Sequence, residues 1–304
     1  MRLAGILLVS ATLLPGCEVN LNTEGLSVRE VKTFKVTGQP ELALDTFDGA
    51  IELHSWDRNE IEVEVEKRAM EQSLIDEIKV DAQQQGDHIT VKVTGPRAQH
   101  RGMTIGVHIS PTARLRVAVP RNTNLNLLSG DGSIKVEAVE GHIVLHTNDG
   151  SITGMRLGGD IQIRSGDGTI RLTDATGKID LETTDGSIGV EAKPSILRAR
   201  TGDGSIRATI QADTAMTDNW ELTTSDGNVT VQLPGQFSTD LDAETSDGIV
   251  RANHPLLSAE DNDRHPGESR DERREHRRSL RAKMGDGGKT LRIRTGDGSI
   301  RIER

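Results

Sequence analysis

The sequence predicts an all-β chain wound as a parallel β-solenoid of about 18-residue coils, and three observations carry that expectation. The hexamer Ser129 to Ile134, Ser-Gly-Asp-Gly-Ser-Ile, returns in close copies through the rest of the chain. Its central Asp falls at 131, 149, 167, 185 and 203, a period of 18 residues, before the spacing widens to 23, 21 and 50 at Asp226, Asp247 and Asp297. Counted from that Asp, apolar residues hold positions minus 6, minus 4, plus 3 and plus 5, as Ile161, Ile163, Ile170 and Leu172 do around Asp167.

Side chains two residues apart share one face of a strand. The longer gap between the two pairs leaves room for a reversal, so each coil is expected to hold two short strands and two turns. Successive coils then pair in parallel around a thin Ile/Leu/Val core. A single coil cannot fold alone: each buried Ile or Leu contributes about 1.5–3 kcal/mol, against about 1–2 kcal/mol of backbone entropy for each ordered residue. Stacking on neighbours makes up the deficit.

The Asp-Gly pair occupies one of the turns. Gly accepts positive φ and a short Asp side chain can take hydrogen bonds from nearby backbone N–H groups, which gives the pair a structural reason. The functional alternative is a column of carboxylates, Asp131, Asp149, Asp167, Asp185 and Asp203, stacked about 4.8 Å apart and able to share calcium. Like charges at that distance cost only about 1 kcal/mol in a water-like dielectric, so no ion is required. The calcium-roll nonapeptide places its Asp differently, and the opposite turn offers Gly141, Gly159 and Gly177 with only Asp160 from the acidic side.

In chain order, residues 1–16 look like an export signal: Arg2, an apolar run from Leu3 to Leu14, then Pro15-Gly16 before Cys17. The pattern resembles a bacterial lipoprotein signal peptide, with Leu14 and Gly16 fitting the box and Pro15 departing from it. That resemblance implies a lipid on Cys17, the single Cys of the chain, and hence a membrane partner and a place in the bacterial cell envelope. With one Cys there is no intramolecular disulfide framework. Residues 17–40 read as a polar tether.

Residues 41–124 read as a diverged β region that caps the solenoid. Its first coil has Leu42, Leu44, Ile51 and Leu53 around Asp48. Alternating runs at 61–65, 89–93, 105–109 and 115–119 predict half-buried strands. Met70 to Lys79 can hold one or two turns of helix. The regular solenoid then runs over 125–304, with a charged insertion at about 253–289 expected to be disordered. All the length added between coils lies between plus 5 of one and minus 6 of the next, and so projects from the edge opposite the Asp-Gly turns. Within the long insertion, Arg273, Arg274, Arg277 and Arg278 are candidate contacts for a partner or an anionic surface.

Composition fits a thin, water-facing stack rather than a deep core: 34% of residues are apolar, 2% aromatic, and there are 32 Gly and no Tyr. The net charge of −10 and the scarcity of aromatic platforms argue against nucleic acid as a partner. No catalytic constellation is evident. The Asp residues are repeated rather than unique, His142 and His146 share an outward face without a third ligand, and the lone Cys rules out thiol-rich zinc sites. Trp220 at an inward position is expected to be core.

The segment Trp56 to Val63, the later Val117 to Leu125 and the Gly-Asp-Gly-Ser-Ile coils together resemble a bacterial adhesin-like domain-of-unknown-function family related to the toastrack envelope domains. The resemblance covers roughly residues 40–304. It implies a β-solenoid, frequent export or membrane attachment, no established catalytic site, and, for some relatives, company with envelope-stress signalling proteins. The expectation is a non-enzymatic envelope lipoprotein, an adhesin-like or structural module without a cofactor, whose partner is a protein or a polysaccharide. A calcium-binding roll, an envelope-stress signalling partner and, last, a polysaccharide-active enzyme are the alternatives.

Overall fold

Alternation between inward apolar and outward polar residues makes nearly every described segment a strand. The structure, a computed structural model, describes residues 19–22, 25–96, 110–257 and 278–304. The expected strand at 105–109, the lipidation candidate Cys17, and Arg273, Arg274 and Arg277 lie outside them.

The chain enters through β1 (Val19–Asn22) and β2 (Gly25–Lys35), paired antiparallel. β3 (Glu41–Thr46) and β4 (Ile51–Trp56) form the first coil around Asp48. The chain then moves outward through β5 (Glu60–Ala69), α1 (Gln72–Glu77), β6 (Lys79–Gln85), β7 (His88–Thr94) and β8 (Thr112–Pro120). β7 and β8 lie parallel to β3 and β4, so they add a coil on the outer side of the first one. β2 pairs antiparallel with β5, and β5 with β8, while β6 pairs antiparallel with β7. These strands close the end of the stack, where the core would otherwise meet water.

The region expected as a tether therefore supplies a capping strand. Its inward positions hold Glu30 and Lys32 before Phe34, so the apolar alternation that marks the other strands is missing. The Lys67 ammonium of β5 pairs with Glu30, and Phe34 and Val36 are buried.

From β9 (Asn124–Ser129) and β10 (Ile134–Glu137) the coils are regular. β11 (Glu140–Thr147) and β12 (Ile152–Met155) follow, then β13 (Gly158–Ser165), β14 (Ile170–Thr183), β15 (Ile188–Thr201) and β16 (Ile206–Ile210). β14 and β15 pass the corner opposite Asp-Gly within one strand, by register shifts at Thr173/Ala175 and Gly177/Lys178. At this corner Ala138, Arg156 and Asp174 adopt left-handed φ of 60°, 54° and 54°. The corner thus repeats a left-handed non-glycine residue one coil apart, followed three positions on by Gly141, Gly159 and Gly177, whose φ is also positive.

The remaining strands are β17 (Trp220–Thr224), β18 (Val229–Gln232), β19 (Thr239–Thr245), β20 (Val250–Asn253), β21 (Ser279–Met284), β22 (Thr290–Thr295) and β23 (Ile300–Glu303). Here spatial order departs from chain order. β22 lies between β17 and β19, and β23 between β18 and β20, so the last coil is threaded inside the one that precedes it in sequence. Simple succession of coils is corrected at this end. The threaded coil carries Leu291, Ile293, Ile300 and Ile302, whereas the outermost one carries the smaller set Leu241, Ala243, Val250 and Ala252. The bulkier quartet is enclosed on both sides. β21 then runs antiparallel along β19 and buries Leu280 and Met284, so 279–284 is a capping strand within the insertion expected to be disordered.

The result is two facing sheets. The first, on the side entering the Asp-Gly turns, runs β6, β7, β3, β9, β11, β13, β14, β15, β17, β22, β19, β21. The second, on the side leaving them, runs β8, β4, β10, β12, β14, β15, β16, β18, β23, β20. Trp220 is core as expected: its ring centroid lies 5.6 Å from that of Phe237, and its Nε1–H donates to the Ser195 carbonyl at 3.2 Å.

Candidate interaction surface

The Asp-Gly edge is held by a residue the turn argument passed over. Two positions before each motif Asp stands a buried Thr or Ser, and in every coil after the first, where the Thr46 hydroxyl is unpartnered, that hydroxyl joins neighbouring coils. Thr147 Oγ1 donates to the Gly132 carbonyl at 2.9 Å and accepts from the Gly150 N–H at 3.3 Å. Ser165 repeats this with Gly150 and Gly168 at 3.0 and 3.1 Å. Thr295 donates to Gly227 at 2.8 Å and Thr245 to Gly298 at 2.7 Å, which carries the ladder through the threaded coil. The motif prints this hydroxyl in every copy, and its constancy was the available signal.

The reason for Gly is also corrected. Of the glycines following the motif Asp, only Gly49 has positive φ. A Cβ on Gly168 would sit 2.0 Å from the Gly150 carbonyl oxygen, and one on Gly186 would sit 2.0 Å from that of Gly168. Close approach of stacked backbones demands Gly here, and at Gly150, Gly168, Gly227, Gly248 and Gly298 the Thr/Ser hydroxyl takes the N–H bond assigned to Asp.

The carboxylates are left outside. Asp131, Asp149, Asp167, Asp185 and Asp203 are all exposed. Asp48, half-buried at the start of the column, has its carboxyl pushed above the usual range, first by burial and then by the charge of Asp131. Among the described residues no three His, Cys, Asp or Glu side chains converge as metal ligands. His142 Nδ1 lies 3.7 Å from Asp160 Oδ2, which Lys178 Nζ approaches at 3.4 Å. Arg278, the one described member of the insertion's Arg group, is exposed and 3.6 Å from Asp247.

The two outer faces differ in charge. On the first sheet opposite charges meet across coils: Arg164 with Glu182 at 3.1 Å, Lys92 with Asp45 at 2.9 Å, and Arg294 with Asp242 at 2.6 Å. Burial alone would raise the Asp242 carboxyl, but the hydrogen bond and charge of Arg294, with Arg281 beside it, hold it below its ordinary value.

On the second sheet one outward column reads, in spatial order from the N-terminal cap, Arg116, Glu52, Lys135, Thr153, Arg171, Gly189, Arg207, Thr230, Arg301 and Arg251. Arg116 and Glu52 are ion-paired at 3.9 Å, and among the described residues from Lys135 onward only Arg301 has an ion pair, with Glu303 at 3.4 Å. A second outward column, nearer the turns, passes hydrogen bonds from coil to coil. Ser205 Oγ accepts from the Asn228 N–H at 3.3 Å, and Asn228 Oδ1 accepts from the Ser299 N–H at 2.8 Å. Between the columns lies a shallow cleft of about 420 Å³, lined among others by Ser205, Arg207, Asn228, Thr230, Arg251 and Arg301.

A family model described as Toastrack DUF4097 matches residues 40–303. Among solved structures, the chain is similar to a proposed adhesin of Bacteroides fragilis, at 10% identity over 90% of this chain and 96% of that one, with a TM-score of 0.40. It is similar to a proposed lipid-binding protein of Parabacteroides distasonis at 14% identity over 91% and 97%, with a TM-score of 0.38. A proposed cell adhesion protein of Clostridium sporogenes gives 12% identity over 90% and 98%, with a TM-score of 0.32. No match was found among curated proteins.

Proposed function

The chain belongs to the Toastrack DUF4097 family, and on that premise we propose that it is a non-enzymatic, lipid-anchored module of the bacterial cell envelope that works by presenting its outer faces to a partner. One observation carries the reading. The polar groups the fold exposes are repeated along faces and edges instead of gathered into one unique constellation, which is the surface of a binding scaffold. A hydrolase would need an acid and a base of unlike environment facing each other across a cleft. The cleft on the second sheet is lined instead by Arg, Ser, Thr, Asn and Ile side chains.

Attachment is assigned to a lipid on Cys17 on the pattern of Arg2, the apolar run from Leu3 to Leu14 and Gly16 before that Cys. Arg273, Arg274, Arg277 and Arg278 are a second candidate contact, on the insertion. The anchor is tested by fractionating cells that express the full chain or its Cys17→Ser variant, with mass spectrometry of the peptide bearing residue 17. The expected result is a lipid-modified Cys17 and release of the variant from the membrane fraction. An unmodified Cys17, or equal membrane retention of both proteins, would overturn the anchor.

A further inference from the structure

The outer column of the second sheet is basic in a way the fold does not require. Lys135, Arg171 and Arg207 stand on alternate coils, separated by Thr153 and Gly189. With coils about 4.8 Å apart, the cations recur about every 9–10 Å along the stack. Threading of the last coil breaks the alternation: beyond Thr230, Arg301 and Arg251 are directly paired across β23 and β20. Like charges directly opposite on a sheet destabilise it, and the first sheet shows the remedy this chain uses elsewhere, since the same threading sets Asp242 against Arg292 and Arg294. Arg301 is paired with Glu303 on its own strand, but among the described residues Arg251 has no ion pair.

Gly189 is a second, independent sign. Its φ is not positive, and a Cβ there would meet nothing within 4 Å, so neither turn geometry nor packing asks for Gly. A glycine inside a strand, on its outward side, leaves room for a close approach from outside. It lies on the column between Arg171 and Arg207.

We propose that this column is a binding lane for a linear acidic polysaccharide lying along the stack, with its carboxylates on Arg171, Arg207 and the Arg301/Arg251 pair and its hydroxyls toward the cleft. Guanidinium groups hold carboxylates through paired charge-assisted hydrogen bonds. Ser205, Asn228 and Thr230 line the cleft beside them and offer polar partners for a sugar ring. The Asp ridge at the turns is about 10 Å away, beyond the Debye length of about 8 Å at physiological ionic strength, and on the other side Glu137, Glu191 and Glu303 stand two residues along the strands, so the lane is a basic strip bordered by acids on both sides. Anionic membrane is the weaker fit, because a surface helix or face that inserts needs apolar anchors. Among the described residues the exposed large hydrophobic side chains are Val31 and Met70, both in the N-terminal cap.

The inference rests on reading the chain as a binding module but is independent of the anchor on Cys17. Binding of polygalacturonate fragments, neutral dextran and phosphatidylglycerol vesicles to the purified full chain is to be measured by calorimetry and co-sedimentation across a salt series. Expected are binding of polygalacturonate that weakens with salt, none of dextran, and a loss of about tenfold in affinity for each of Arg207→Thr and Arg251→Thr. Gly189→Glu, which fills open space and sets an acid between two arginines, is expected to lose binding with an unchanged melting temperature. Arg164→Thr on the first sheet is expected to bind as the parent does. The lane is overturned if polygalacturonate does not bind, if dextran or vesicles bind as well or better, or if Gly189→Glu binds normally.

Discussion

At the residue scale the stack beyond the first coil is fastened by the hydroxyl two positions before each motif Asp, not by the Asp. Thr147→Val removes a donor from the Gly132 carbonyl and an acceptor from the Gly150 N–H, both at a buried edge. Leaving such groups unpaired costs about 1–3 kcal/mol. Gly150→Ala would put a Cβ 2.1 Å from the Gly132 carbonyl oxygen, and overpacking of this kind costs about 1–3 kcal/mol or more. Asp149→Asn touches neither bond and is expected within about 0.5 kcal/mol of the parent. Chemical denaturation of the three variants checks the ranking. A larger loss for Asp149→Asn than for Thr147→Val would return the turn to the carboxylate. The motif displays Thr or Ser, Asp and Gly with equal constancy, so sequence could locate the turn while leaving open which residue fastens it. That depends on how near the next coil's backbone comes.

At the scale of elements, charge pairing across strands ties together the first sheet and the N-terminal cap. Burial works against the ionised form of Glu66, but Arg68 outweighs it with a 2.7 Å hydrogen bond and its charge, helped by Arg29 and Arg116, and the carboxyl lies below its ordinary value. Asp242 is lowered in the same sense by Arg294 and Arg281. A carboxyl whose folded pKa is depressed contributes stability that is complete above its unfolded pKa, about 4 for these groups, and is lost as pH falls through the folded value. The denaturation midpoint is therefore expected to decline below about pH 4, and Asp242→Asn to be less stable at neutral pH with a shallower acid decline. A parallel decline in parent and variant would mean that other groups carry the acid sensitivity. Arg68 stands two residues from Glu66 in the sequence, but the pairs of Arg29 and Arg116 with Glu66 and of Arg281 and Arg294 with Asp242 were hidden there because they join residues one coil or more apart. β2 was missed for a related reason: Glu30 and Lys32 look like solvent residues until β5 brings Lys67 beside Glu30.

For the molecule as a whole, the period and the inward quartets made the two-sheet solenoid legible before any coordinates, because each coil repeats one local rule. The ends were not legible. Which coil lies outermost depends on competing stacks of equal register, and register alone cannot rank Asp247 against Asp297. The packing does, by enclosing the Ile-rich last coil and covering the smaller one with β21. Threading also builds the Arg301/Arg251 pair, so the functional proposal and the fold share this feature. Native-state hydrogen exchange of the full chain tests it most directly, through the Leu233 N–H on the Glu303 carbonyl at 2.9 Å and the Ile300 N–H on the Ile249 carbonyl at 2.9 Å. Protection measures the opening free energy of each region, and terminal elements open first. If the last coil is threaded, Leu233 and the amides of β22 and β23 exchange as slowly as those of β17 and β18, and more slowly than those of β20. Exchange in β22 and β23 as fast as that of a fraying chain end, with β19 and β20 the better protected, would contradict the threaded order and remove the paired arginines from the lane.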